Sequence, residues 1–158
     1  MKILIIGIGN PGRGDDGLGP ALVARLAGAG AGELAEGVVV EIPGGPSAVW
    51  KYQLNIEDAN LIKDFDVVVF SDASTEGAAP VSLAEIAPAA AIVFTTHEMS
   101  PSAVLALGEE LYGRTPRGYL LAMRGYSWEL ADGLSAAAAE NIETALGRFR
   151  EFMNSAPR

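Results

Sequence analysis

Three side chains that can bind a metal each follow a hydrophobic stretch with the character of a buried strand. Asp16 lies in a glycine-rich loop after the first such stretch, Asp72 directly follows 67–71, and His97, the only histidine, ends 91–96. In an open, mostly parallel sheet, groups beyond the carboxyl ends of the strands meet in one crevice. Two carboxylates and one imidazole there predict a three-ligand metal site with an open position, which suits nickel or zinc better than calcium.

These residues need a sheet to bring them together, and the hydrophobic pattern predicts one. The expected strands are 3–6, 38–42, 66–71, 81–86 as a half-exposed edge, 91–96 and 119–123, and 47–58 is expected to be a short helix or irregular. Helical patterns alternate with these strands, which is typical of α/β domains. We therefore expect one domain over 1–158, a three-layer α/β/α sandwich with a twisted, mostly parallel sheet of about five strands.

The helices are predicted from their starts and their apolar faces. The first should begin near Gly17 with Leu18, Ala21, Leu22 and Leu26 on one face, and the last should be capped by Ser135. Between them, Ser100 and Pro101 are a good cap and first-turn pair for a helix. We expect Val104, Leu105 and Leu111 to line one face of that helix.

Composition excludes several classes of protein. Of the 158 residues, 49% are hydrophobic and 20% charged, so the chain should be globular. The formal net charge of −9 argues against a nucleic-acid partner, because such binding depends mainly on Lys and Arg. The absence of cysteine rules out disulfides and thiolate catalysis and is compatible with the cytoplasm. No stretch approaches the apolar length of a membrane span, so we expect a cytoplasmic monomer that does not bind membranes.

The glycine loop that begins at Gly7 fits two families only in part. Its Gly-Ile-Gly-Asn-Pro-Gly pattern satisfies the dinucleotide fingerprint, with Glu41 as a candidate ribose ligand. However, Asp15 and Asp16 would repel a pyrophosphate at the following helix N-terminus. The loop also resembles the start of peptidyl-tRNA hydrolases, but those carry a catalytic histidine soon afterwards, and this chain has none before His97.

A third resemblance covers essentially the whole chain. The signature Gly-x-Gly-Asn-x-x-x-x-Asp-Asp-Gly-x-Gly, the Asp72-Ala73 step, a histidine before a Ser-Pro-Ser-Ala-Val-Leu helix and the late Gly-Leu-Ser at 133–135 resemble the hydrogenase maturation proteases. These endopeptidases trim the C-terminus of the large subunit of nickel–iron hydrogenases. The resemblance implies that Asp16, Asp72 and His97 bind nickel, with zinc or cadmium as surrogates, and carry catalysis. It also implies a hydrogenase large-subunit precursor as the partner.

Other candidate residues have simpler interpretations. Asp15 is expected to be a helix-capping or supporting acid, and Asn10 to fix the glycine loop by hydrogen bonding. Glu98 fits the role of a solvated acid in the first turn of a helix as well as it fits the role of a base. We assign no role to Trp50 or Trp128. Ser71, Ser74 and Ser100 have no second histidine to activate them, so hydrolysis should rely on a cation, with a carboxylate relaying the proton. A peptidyl-tRNA hydrolase-like enzyme and a non-catalytic module that docks on a metalloprotein remain alternatives.

Overall fold

The computed structural model describes residues 1–77, 80–91 and 98–156. The strands are β1 (Ile3–Ile8), β2 (Val40–Glu41), β3 (Ser47–Lys51), β4 (Val67–Ser74), β5 (Val81–Ile86) and β6 (Arg117–Arg124). The α-helices are α1 (Leu18–Leu26), α2 (Asp58–Ile62), α3 (Pro101–Tyr112) and α4 (Ala136–Ser155), and a 3₁₀ turn (Gly14–Gly17) precedes α1. No helix in these ranges is long and apolar enough to cross a membrane.

All six described strands belong to one sheet, in the order β2-β3-β1-β4-β6-β5. The four inner strands are parallel, whereas β2 and β5 at the two edges run antiparallel to their neighbours. The predicted α/β class with a mostly parallel sheet is confirmed, although the sheet has six strands where about five were expected. Parallel inner strands place their carboxyl ends at one edge of the sheet, where ligands bind in folds of this kind.

The helices cover both faces of the sheet, as predicted for three layers. On β1, Ile3 and Ile5 face the core beneath α1 and α4, while Leu4 and Ile6 face the core beneath α2 and α3. Every residue of β1 is buried, which explains why this strand is continuously apolar. Each such side chain stabilises the fold by roughly 1.5–3 kcal/mol relative to exposure to water.

Both predicted serine caps are present. The Ser100 hydroxyl accepts a hydrogen bond from the Ala103 N–H (3.1 Å), and the Ser135 hydroxyl accepts one from the Ala138 N–H (3.2 Å). Of the three residues expected on one face of α3, Val104 and Leu105 are fully buried, whereas Leu111, two turns after Val104, is 58% exposed. Helical periodicity identifies a face but does not tell how far along the helix its neighbours cover that face.

The second predicted strand was placed incorrectly. Only Val40–Glu41 of 38–42 forms a strand, and it lies at the sheet edge, where Val38 is 54% exposed. The inner strand is instead β3, within the segment expected to be a short helix or irregular, and it pairs in parallel with β1. Apolar content alone cannot tell which of two neighbouring segments pairs with the central strand.

The later strands are largely as expected. β5 is an edge strand and β6 extends the predicted 119–123 at both ends. β4 runs on to Ser74, so Asp72 lies within the strand and not directly after it. The expected strand at 91–96 lies, apart from Ala91, outside the described residues.

Candidate functional site

Asp16 is held over the carboxyl end of β1 by very close backbone packing. A Cβ on Gly19 would lie 2.4 Å from the carbonyl oxygen of Ile8, and one on Gly9 would lie 1.8 Å from the carbonyl oxygen of Asp16. Gly9 also has a φ of 141°, a conformation that other residues rarely adopt. Gly9 and Gly19 therefore serve close packing, and they fix the backbone of Asp16 against the sheet.

Hydrogen bonds within the loop then orient the Asp16 side chain. The N–H of Asn10 donates to Oδ2 of Asp16 (2.8 Å), while Oδ1 of Asn10 accepts from the N–H of Gly12 (2.9 Å). The predicted role of Asn10 in fixing the loop is confirmed by the second bond. Asp16 itself is only half-buried, so it can meet a ligand from solvent.

Asp72 approaches the same edge from β4, the strand next to β1. Its Oδ1 accepts a hydrogen bond from the N–H of Ala73 (2.8 Å). Burial, together with the negative charges of Asp16 and Glu98, raises the pKa of Asp72 to about 7 against the opposing effect of that hydrogen bond. Two carboxylates that repel each other in this way form a site that favours a cation.

Asp16 and Asp72 line one open cleft of about 580 Å³. Its walls also include Arg13, Glu76 and Trp128, together with residues 73–75. Neither Arg13 nor Trp128 was assigned a role from the sequence. Arg13 could have been found from its place in the glycine loop, but nothing in the sequence marks Trp128 as a neighbour of Asp16.

The predicted third ligand cannot be placed. His97 lies outside the described residues, and no group of three or more potential metal ligands occurs within 1–77, 80–91 and 98–156. Glu98, the next residue, is exposed, and its charge acts on Asp72. Two carboxylates in an open cleft suit a divalent cation in donor chemistry and charge, and they leave room for further ligands. The metal role of Asp16, Asp72 and His97 remains a prediction.

Of the two roles expected for Asp15, helix cap and supporting acid, the structure shows the supporting one. It is fully buried and accepts hydrogen bonds from the N–H groups of Tyr126, Ser127 and Ser135 and from the Ser135 hydroxyl, at 2.7–3.0 Å. Burial by itself would raise the pKa of Asp15, but these bonds outweigh it and hold the pKa below its ordinary value. The carboxylate therefore does not cap the helix that follows it; it binds the segment leading into α4.

The three serines considered as nucleophiles are all engaged in the structure. The Ser71 hydroxyl is buried and donates to the Ile6 carbonyl (3.2 Å), and the Ser74 hydroxyl donates to the Glu76 carbonyl (2.7 Å). Ser100 caps α3. These contacts agree with a reaction that does not use a serine nucleophile.

Comparison with solved structures identifies the fold. The nickel–iron hydrogenase maturation protease HycI from Thermococcus kodakarensis superposes with a TM-score of 0.67 at 23% identity, over 98% of this chain and 93% of that one. The hydrogenase maturating endopeptidase HybD from Escherichia coli gives 0.64 at 20% identity, over 99% and 94%. The endopeptidase HycI from Escherichia coli gives 0.65 at 19% identity, over 97% and 92%.

The likeness confirms, at the level of the fold, the resemblance to hydrogenase maturation proteases. It extends over nearly the whole of each chain, so the elements outside the glycine loop are shared too. No protein-family model matches the sequence, and no curated protein matches it significantly.

Proposed function

We propose that this protein is an endopeptidase that removes the C-terminal extension from a nickel-loaded precursor of a nickel–iron hydrogenase large subunit. The observation that carries the proposal is the convergence of Asp16 and Asp72 in one cleft of a fold shared with hydrogenase maturation proteases. The reaction is hydrolysis of one peptide bond, in which water adds to the carbonyl carbon and the leaving nitrogen receives a proton.

The nickel is part of the substrate in this proposal. Asp16 and Asp72 offer carboxylate oxygens at the carboxyl edge of the sheet. His97, four positions before α3 in the sequence, would add an imidazole. A cation held there polarises the scissile carbonyl or activates water. The protein's own contribution is to hold the two carboxylates in fixed positions and to let one of them relay a proton.

Dependence on the nickel of the substrate follows from the small number of ligands. Three protein ligands hold a cation less firmly than a closed four-ligand site, because at least one position must be filled from elsewhere. A precursor that already carries nickel fills those positions. A nickel-free precursor gives the carboxylates nothing to bind and keeps its extension.

The test is to incubate the protein with nickel-free and nickel-loaded precursor in the presence of a chelator that removes free metal. We expect cleavage of the loaded form alone and none of casein or short generic peptides. The Asp72→Asn variant is the matched control, since it keeps the size of the side chain and should not cleave. Equal cleavage of both precursors would mean that nickel is not the signal and that the protein is an ordinary peptidase.

The same experiment separates the alternatives. A docking module without catalytic activity would bind the loaded precursor and leave it intact. A peptidyl-tRNA hydrolase-like enzyme would release peptide from peptidyl-tRNA instead. However, the acidic residues Asp16, Asp72 and Glu76 of the cleft and the net charge of −9 oppose a tRNA substrate.

A further inference from the structure

The loop between β6 and α4 carries three large apolar side chains, one of which lines the cleft that contains Asp16 and Asp72, here called the acidic cleft. Leu130 is 79% exposed and Tyr126 is 50% exposed, while Trp128 between them lines the acidic cleft. We call Tyr126, Trp128 and Leu130 the apolar rim. Single exposed apolar residues are common on protein surfaces, but two of them on either side of a tryptophan that lines a cleft indicate a binding surface.

Hydrogen bonds fix the backbone of this loop to the loop that carries Asp16. The Asp15 carboxylate holds it at Tyr126, Ser127 and Ser135. The N–H of Gly14 donates to the Ala131 carbonyl (3.0 Å), and the N–H of Ala131 donates to the Gly12 carbonyl (3.2 Å).

This fixation matters for binding. Loops with few such bonds move easily, whereas the backbone that carries these apolar side chains is held in one arrangement. A rigid apolar surface loses little entropy when a partner covers it, and anchors of this kind dominate the affinity of protein interfaces.

The charges around the apolar rim indicate what covers it. Glu129 and Asp132 are exposed on the same loop, and the chain as a whole carries −9. The cleft is lined by three acidic residues, Asp16, Asp72 and Glu76, against one basic residue, Arg13. A complementary partner therefore combines apolar side chains with basic residues. Since Trp128 and Asp16 line one cleft, a chain segment lying in that cleft meets the apolar rim at Trp128.

We infer that the apolar rim is the substrate-docking surface of this enzyme and binds an apolar, basic segment of the precursor next to the bond that is cut. The inference rests on the proposed function and adds a specificity element to it. Docking and cleavage are then carried by two loops that the Asp15 carboxylate joins, so that a bound segment is presented to Asp16 and Asp72.

The test compares Leu130→Ser with Leu111→Ser. Leu111 is a matched control because it is also a leucine more than half exposed, but it lies in the last turn of α3 and does not line the acidic cleft. With nickel-loaded precursor, Leu130→Ser should raise KM about tenfold and leave kcat near the wild-type value, as expected for loss of an interface anchor. Leu111→Ser should change neither constant. Glu129→Lys should raise KM as well, because it opposes a basic segment.

Direct binding of the precursor, measured in an Asp72→Asn background, separates docking from catalysis. If the wild-type protein fails to cleave but Leu130→Ser still weakens binding, the proposed function is wrong and the docking surface stands. An unchanged KM and affinity in Leu130→Ser would overturn the docking surface whether or not the protein is a protease. An unchanged KM in Glu129→Lys would overturn the preference of the apolar rim for basic segments. Self-association of the protein that Leu130→Ser abolishes would show that a second copy occupies the apolar rim, which also overturns the inference.

Discussion

Asp15 and Ser135 are joined by two hydrogen bonds across 120 positions of the sequence. The Ser135 N–H donates to Oδ1 of Asp15 and the Ser135 hydroxyl donates to Oδ2, both at 2.7 Å, while the same hydroxyl accepts from the Ala138 N–H at the start of α4. One buried carboxylate thus connects the glycine loop after β1 to the first turn of the last helix. The two carboxylates of the Asp15-Asp16 pair have separate tasks, since Asp15 supports the fold and Asp16 faces the cleft.

Replacing Asp15 should destabilise the protein strongly. The Asp15→Asn variant keeps the size of the side chain but places an N–H₂ donor among groups that also donate, so buried hydrogen bonds are lost. We expect the free energy of unfolding to fall by roughly 2–4 kcal/mol, measured by urea denaturation. The control is Asp16→Asn, which alters a half-exposed carboxylate and should cost about 1 kcal/mol or less. Equal losses in the two variants would contradict the role given to Asp15.

The same carboxylate should make the protein sensitive to acid. Because the pKa of Asp15 in the folded protein lies below its value in the unfolded chain, near 3.8, its ionisation favours the folded state. That contribution is present in full above pH 4 and is lost as the pH falls through the folded-state pKa. Urea denaturation between pH 5 and about pH 2 should therefore show a wild-type advantage over Asp15→Asn that shrinks steadily. An advantage independent of pH would exclude this explanation.

Asp72 should change the stability of the protein with pH in the opposite direction. Its pKa in the folded protein is about 7 against an ordinary value of 3.8, so the folded state binds the proton more tightly. In metal-free protein, stability should fall as the pH rises from about 4 to about 7, since the unfolded chain releases this proton first. Asp72→Asn should remove this decline and exceed the wild type by about 1–2 kcal/mol at pH 8, a modest amount because solvent screens part of the carboxyl group. Parallel curves for the two proteins would refute the raised pKa.

Each predicted ligand should be required for processing but not for folding. Asp16→Ala, Asp72→Ala and His97→Ala should each abolish cleavage of the nickel-loaded precursor, because each removes one of few contacts to the cation. Circular dichroism and cooperative unfolding should stay near those of the wild type, as Asp16 and Asp72 are only partly buried. Full processing by His97→Ala would remove the basis of the three-ligand site.

The isolated protein should bind nickel, zinc or cadmium weakly. Calorimetry should show binding that fades below about pH 6, because protonation of His97, with an ordinary pKa of about 6.5, competes with the metal. The double variant Asp16→Ala, His97→Ala should show no uptake, and Leu111→Ser should bind as the wild type does. Uptake that the double variant retains would place the metal elsewhere.

Features that depend on local pattern could be predicted from the sequence alone. Continuous burial of β1 appears as an unbroken apolar run, and the serine caps of α3 and α4 have local signatures, so the fold class and most elements could be predicted. The position of Asp16 in a glycine-rich loop after the first strand could likewise be read from the sequence. These features need only the periodicity of backbone geometry and the hydrogen-bonding needs of helix ends.

Which segments become neighbours is seen only in the folded protein. β3 pairs with β1 although the run at 38–42 is more apolar, because pairing depends on where each segment lies in the folded sheet. The bond between Asp15 and Ser135 and the place of Trp128 beside Asp16 involve positions more than 100 residues apart. Such contacts arise from packing of the whole chain, so no local pattern in the sequence encodes them.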